Sequence, residues 1–202
     1  MGLKDVKLNF LVDIATDLFM CRSIQEVTIR DIAVSAQVGE ATIYRYFGTK
    51  QNIVLQAAMK LQDIVSKDFF KLEEGKKGYE KLTIFYQSYF DIFVKYPSFY
   101  KFLDEFDAYI SIENTDASNP YESAIDQYKA HYMQAYQLGI KDGSIKPQKD
   151  IEIFYFSTTH ALLELCKKMA FRKAVLSQDK SIIKGDEIRC LIGIILQSLN
   201  NL

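Results

Sequence analysis

The sequence is poor in everything that interrupts a helix: three prolines and nine glycines are spread over 202 residues, so few points force the backbone off a regular path. Cysteine is scarce as well. Cys21, Cys166 and Cys190 are odd in number and widely spaced, with no CxxC pair or Cys/His cluster. That pattern excludes a disulfide scaffold or zinc module and leaves reduced packing cysteines. No apolar run reaches the roughly eighteen uncharged residues of a membrane span. The first ten residues carry Lys4, Asp5 and Lys7 where a signal peptide would be apolar, so a cytoplasmic location is expected. Surplus charge is missing too: 25 Lys and Arg stand against 26 Asp and Glu. Without a global basic field, any contact with nucleic acid must come from local placement.

What remains is 49% hydrophobic and 25% charged, the profile of a folded globular chain. The apolar residues recur at three- and four-residue spacing, which predicts helix throughout and no sheet, about nine helices in all. Leu8, Leu11, Val12, Ala15, Leu18 and Phe19 draw one stripe, with Asp13, Thr16, Asp17 and Met20 on the other side. Thr28 stands at an N-cap position with Asp31 three residues on, and Ile29, Ile32 and Ala33 follow as a buried face to about Gln37. Val38-Gly39-Glu40 is a tight turn. Ala41 to Phe47 makes a short third helix ended by Gly48, with Val38, Ile43 and Phe47 as its core side. Thr49 caps a fourth helix running from Lys50 to about Leu72. After the charged, glycine-rich break at residues 74–78, helices are expected at about 79–96, 97–110, 121–141, 150–174 and 184–199.

Two short helices joined by a tight turn and braced by a preceding helix describe a helix-turn-helix, which presents its second helix to a DNA major groove. The wording of the segment sharpens this. Val27-Thr-Ile-Arg-Asp-Ile-Ala33, then Val38-Gly-Glu-Ala-Thr-Ile-Tyr-Arg-Tyr-Phe47-Gly-Thr-Lys50, strongly resembles the N-terminal signature of the tetracycline-repressor (TetR) family, the match spanning about Leu8 to Leu61. The resemblance implies that residues 1–50 form a DNA-binding domain and 51–202 an effector-binding and dimerisation domain, with helix four connecting them. It also implies that Thr28 touches phosphate while capping helix two, that Thr42, Tyr44 and Arg45 face DNA, and that Tyr46 and Lys50 complete a backbone clamp. Donors near a helix N-terminus suit phosphate. The planar fork of Arg45 suits the two major-groove acceptors of guanine. Gly39, Glu40 and Ala41 open the same helix. For Glu40 two readings stand, acceptance from a cytosine amino group or a solvated cap. The chain departs from the family pattern at Gln37, Gly39 and Ala41, which bears on turn geometry. Residues 1–50 hold six basic and six acidic side chains, so affinity per subunit should depend only modestly on salt.

Aromatic residues crowd the stretch from Phe85 to Tyr109. Within the resemblance, helices five to eight enclose an effector cavity, and the expected lining is Tyr86, Tyr89, Phe93, Phe102, Phe106, Tyr128, Tyr132 and Phe154. Such a lining implies an apolar or aromatic effector oriented by tyrosine hydroxyls. Ile188, Leu191, Ile192, Ile195 and Leu199 form an apolar stripe on the last helix that resembles, with helix eight, the family's four-helix dimer interface. Ser157, His160, Glu164 and Lys167 are expected to form a solvated or inter-subunit stripe; two ligands one turn apart make only half a metal site. Neither a metal, a cofactor nor a catalytic residue is expected: the stripe cannot converge on a reacting carbon, and no GxSxG elbow, phosphate loop or ExxH pair accompanies it. The implied protein is a ligand-responsive repressor that binds a palindromic operator as a homodimer. Its alternatives are a DNA-binding regulator without an effector and, from another class, a helical-bundle enzyme.

Overall fold

The structure is a computed structural model that describes residues 2–70, 74–113, 120–171 and 185–201. Among these, nine helices follow one another: α1 (Leu3–Cys21), α2 (Ile29–Ser35), α3 (Glu40–Phe47), α4 (Lys50–Asp68), α5 (Gly78–Lys95), α6 (Pro97–Glu113), α7 (Pro120–Lys141), α8 (Ile151–Phe171) and α9 (Asp186–Leu199). No strand occurs among the described residues beyond one isolated bridge between Ile145 and Asn200. The all-helical expectation therefore holds. The expected extensions of α4 to Leu72, of α8 to Ala174 and of α9 back to Lys184 run into residues outside the description.

The chain forms two compact units, residues 1–64 with 101–124 and residues 65–100 with 125–202. In the first, Leu11, Ala15 and Phe19 of α1 share an apolar interior with Ile32, Ala33, Ile43 and Phe47. Burial of each large side chain there stabilises by about 1.5–3 kcal/mol. Thr16, read from the pattern as outward, is buried instead. Its hydroxyl donates to the carbonyl of Val12 at 2.7 Å, so burial leaves no orphaned polar group. In the second unit α5 packs against α8 and α9, and α8 against α9.

One contact in the second unit depends on missing side chains. A Cβ on Gly78 would lie 2.1 Å from the backbone nitrogen of Gly139 and 2.5 Å from the carbonyl of Ala135, so only glycine lets the start of α5 meet the end of α7 this closely. The turn after α7 then caps α5. Asp142 accepts from Gly78 N at 2.9 Å and Ser144 from Tyr79 N at 3.1 Å, satisfying two donors that a helix start leaves open.

Candidate nucleic-acid interface and interior cleft

The helix-turn-helix is held by its ends. Thr28 and Asp31 cap α2 reciprocally: the Thr28 hydroxyl accepts from Asp31 N at 3.1 Å, while the carboxylate of Asp31 accepts from Thr28 N at 2.8 Å and from the Thr28 hydroxyl at 2.7 Å. These donors hold the carboxyl of Asp31 below its ordinary range. At the other end of α2, Gln37 N reaches Val34 O at 3.1 Å and Val38 N reaches Ala33 O at 2.9 Å, a Schellman closure. Closing this way requires a left-handed residue, and Gln37 adopts φ 54. The family's glycine preference at this position has its explanation in that angle. Glutamine preserves the turn at a cost of about 1 kcal/mol.

α3 presents two unlike faces. Ile43 and Phe47 are buried and hold the helix to the unit, while Val38 in the turn is half-buried. Glu40, Ala41, Tyr44 and Arg45 are exposed on the opposite side. Thr42 and Tyr46 sit at the border, half-buried, and the guanidinium of Arg45 lies 5.5 Å from the Tyr46 ring. Gly39 forms the N-cap in ordinary extended geometry, so serine or threonine would fit there too. Gly48, at φ 73, ends the helix, and Asn52 Nδ2 donates to the Phe47 carbonyl at 2.8 Å. Lys50 is engaged within the unit: its ammonium donates to Gln25 O at 3.3 Å and lies 5.7 Å from the Tyr109 ring. Sequence reasoning missed Glu105 of α6, which accepts from Ile24 N at 2.7 Å and fixes the loop entering α2.

The residues expected around an effector are not gathered in one place. Phe102 and Phe106 belong to the first unit, stacked on each other at 5.9 Å, with Phe106 also 5.0 Å from Tyr121. Phe93 lies beside Phe90 at the start of α9. Phe154 is half-buried on α8. Tyr86, Tyr89, Tyr128 and Tyr132 do assemble, around Phe85 and Phe70: Phe70 is 4.7 Å from Tyr128, Phe85 is 5.2 Å from Tyr132 and 6.0 Å from Tyr89. Beside this cluster opens a small cleft, partly open to solvent. Lys81, Leu82, Ile84 and Phe85 line it from α5, Tyr128, His131, Tyr132 and Ala135 from α7, and Phe70 closes one side. Of the expected lining, the cleft contains Tyr128 and Tyr132.

Counting protons shows what the tyrosine hydroxyls can still do. Thr158 Oγ1 lies 2.8 Å from the Phe154 carbonyl, which can only accept, so the threonine proton goes there. Tyr86 Oη lies 2.8 Å from Thr158 Oγ1 and must supply the proton of that contact. Tyr132 Oη, 3.0 Å from Tyr86 Oη, must then donate to it. Both tyrosine protons are used inside the protein. Burial pushes the Tyr86 phenol up to about 12 and the Tyr132 phenol far above its usual range, so both stay neutral. Toward an effector these two hydroxyls are left with their acceptor capacity alone.

The apolar stripe of α9 is also corrected. Ile188, Ile192, Ile195 and Leu199 are buried within the single chain, and Leu191 is half-buried. The stripe is consumed by α5 and α8, and the sides left exposed carry Cys190, Gly193, Ile194 and Gln197 on α9 and Ile153, Phe156, Ser157 and His160 on α8. Lys167, expected in the solvated stripe, is buried, with its ammonium 2.8 Å from Glu164. Of the packing cysteines only Cys166 is buried; Cys21 and Cys190 are exposed thiols. His131 lies at the cleft, and no group of three metal-binding side chains occurs among the described residues. No helix of the described residues is long and apolar enough to cross a membrane.

A short helix with a buried apolar side, an outward polar side and a tight turn behind it defines a helix-turn-helix DNA-binding protein. Residues 11–57 match the family described as bacterial regulatory proteins, tetR family, so this segment of the chain is similar to the DNA-binding part of those regulators. It is 24% identical over 147 residues to the HTH-type transcriptional repressor KstR2 of Mycolicibacterium smegmatis, covering 72% of this chain and 70% of that one. To KstR2 of Rhodococcus jostii it is 26% identical over 148 residues, covering 72% and 71%. The fold matches the ketosteroid transcriptional regulator KstR2 of Mycobacterium tuberculosis with a TM-score of 0.66 at 14% identity, over 96% of this chain and 95% of that one.

Proposed function

We propose that the chain is a ligand-responsive repressor that binds a palindromic operator as a homodimer and releases it when a small apolar or aromatic effector binds. Residues 1–50 are the DNA-binding module and the later helices carry effector and dimer functions. One observation carries the reading: α3 turns Glu40, Ala41, Tyr44 and Arg45 outward while Ile43 and Phe47 anchor it. Arg45 is the base-reading side chain, and Thr28, Thr42, Tyr44 and Tyr46 position the helix on phosphates. Lys50 supports the clamp from the start of α4. The likeness to repressors named KstR2 favours repression over activation.

Dimerisation through the outward sides of α8 and α9 would set two α3 helices about 34–36 Å apart, one turn of DNA, and so requires an inverted repeat. The test is a mobility shift with a fragment carrying an inverted repeat from upstream of the coding region, first alone and then with a panel of small apolar compounds. Arg45→Ala removes one bidentate base contact in each half-site and should weaken the shift at least about tenfold, with the melting temperature unchanged. An unaltered shift in that variant overturns the assignment of α3.

A further inference from the structure

The turn between α1 and α2 is gripped by two helices that lie outside the helix-turn-helix. Glu105 Oε2 of α6 accepts from Ile24 N at 2.7 Å, and Lys50 Nζ of α4 donates to Gln25 O at 3.3 Å. A carboxylate thus meets an amide N–H while an ammonium meets the carbonyl of the next residue, both charge-assisted and so stronger than neutral hydrogen bonds. Tyr109, one helical turn beyond Glu105 on α6, has its ring 5.7 Å from the same ammonium. Lys101, one turn before, stands 3.8 Å from Oε1 of Glu105 and steadies the carboxylate from its other oxygen. All these groups belong to the compact unit that contains α1, α2 and α3.

The turn carries this grip towards the DNA-binding helices. Ile24 and Val27 are fully buried. Around them Ser23 N donates to Glu26 Oε2 at 3.4 Å, Glu26 N to Ser23 Oγ at 3.2 Å and Val27 N to Ser23 O at 3.2 Å. Arg22 lies 3.5 Å from Asp31, which caps α2 together with Thr28. A turn bonded at this density has few free torsions, so a displacement of Ile24 displaces Thr28 four residues on.

We propose that Glu105 is a positioning residue for operator binding: it fixes the turn through the Ile24 amide, and the turn fixes Thr28 and the start of the helix-turn-helix against phosphate. The proposal rests on the DNA-binding reading of α3 and extends the DNA-binding module beyond residues 1–50 to α6.

The test uses the full chain with two variants, Glu105→Gln, which keeps an oxygen for Ile24 N, and Glu105→Met, which removes it at similar length. Operator affinity is read by mobility shift and amide hydrogen exchange by NMR. Glu105→Met should weaken operator binding about tenfold or more, because losing a hydrogen bond to a charged group lowers the share of chains with the turn in place, and apparent affinity falls with that share. Glu105→Gln should recover most of the loss. In Glu105→Met, exchange should quicken at Ile24, Val27 and Thr28 and stay unchanged at the buried Ala57 and Leu61 of α4, a pattern that general destabilisation does not give. Equal losses in the two variants, or a folded Glu105→Met that binds operator as the unmodified chain does, overturn the proposal. So does an Ile24 amide that exchanges as fast as in an open chain in the unmodified protein, a measurement that needs no variant to fold. If Arg45→Ala weakens binding and Glu105→Met does not, DNA binding through α3 stands and the role of Glu105 falls; if neither does, both fall.

Discussion

Removing hydroxyls one at a time from the Tyr132–Tyr86–Thr158 chain should give costs that follow the direction of its protons. In Tyr86→Phe the Tyr132 proton loses its only acceptor in that chain, inside a cluster where both rings are wholly buried. An orphaned buried donor costs about 1–3 kcal/mol. Tyr132→Phe leaves no orphaned donor, since Tyr86 still donates to Thr158, and its cost should stay below about 1 kcal/mol. Combining both removes the orphan, so the double variant should be more stable than Tyr86→Phe alone, a non-additivity of about 1 kcal/mol. Urea unfolding reads this directly: with a slope of about 2 kcal/mol/M, Tyr86→Phe lowers the midpoint by roughly 0.5–1.5 M, and the second substitution restores part of it. A Tyr132→Phe loss equal to that of Tyr86→Phe, or a double variant showing the plain sum, would refute the proton order.

Gly78→Ala must push α5 off α7 and disturb its caps, costing about 3 kcal/mol or more, whereas Gly193→Ala, which meets nothing within 4 Å, should raise monomer stability by about 0.5–1 kcal/mol; thermal melts compare the two. Burial raises the phenols of Tyr86, Tyr100, Tyr132 and Tyr155 and takes the Cys166 thiol to about 12. Because these groups hold protons more tightly folded than unfolded, their stabilisation is complete below about pH 8.5 and is lost as pH climbs from there towards 12. Tyrosinate absorbance should accordingly rise in two stages, with the second coinciding with loss of helix by circular dichroism. Ile153→Lys with Ile194→Lys, both sites exposed in the single chain at 65% and 60%, should yield a folded monomer by light scattering; a dimer that persists would place the subunit contact elsewhere.

Local signals read from sequence translated well into structure. The Thr28 cap, the Gly48 stop and the Pro97 start depend on residues a few positions apart, and the backbone obeys them. The two faces of α3 followed from spacing together with the family signature. What spacing leaves open is the identity of a packing partner. Ile188, Ile192, Ile195 and Leu199 were an apolar stripe needing cover, and periodicity is silent on whether cover comes from α5 and α8 or from a second chain. The cleft shows the same limit: His131 and Lys81 are unremarkable on their own helices and become neighbours of Phe70 and Phe85 only through the register of α5 against α7, set by the Gly78 contact. Thr16 and Lys167 were misplaced because a polar side chain can be buried once a carbonyl or carboxylate lies within reach.

The division of labour along α3 bears on how such a regulator could diverge. Two side chains, Ile43 and Phe47, moor the helix, and its ends are tied by Gly48 and Asn52. Glu40, Ala41, Tyr44 and Arg45 carry little structural duty, so exchanging them should retune which DNA words are recognised while leaving the scaffold folded. Recognition in this architecture is thus a replaceable vocabulary written on a constant support, and a duplicated copy could acquire new target sites by a handful of surface changes.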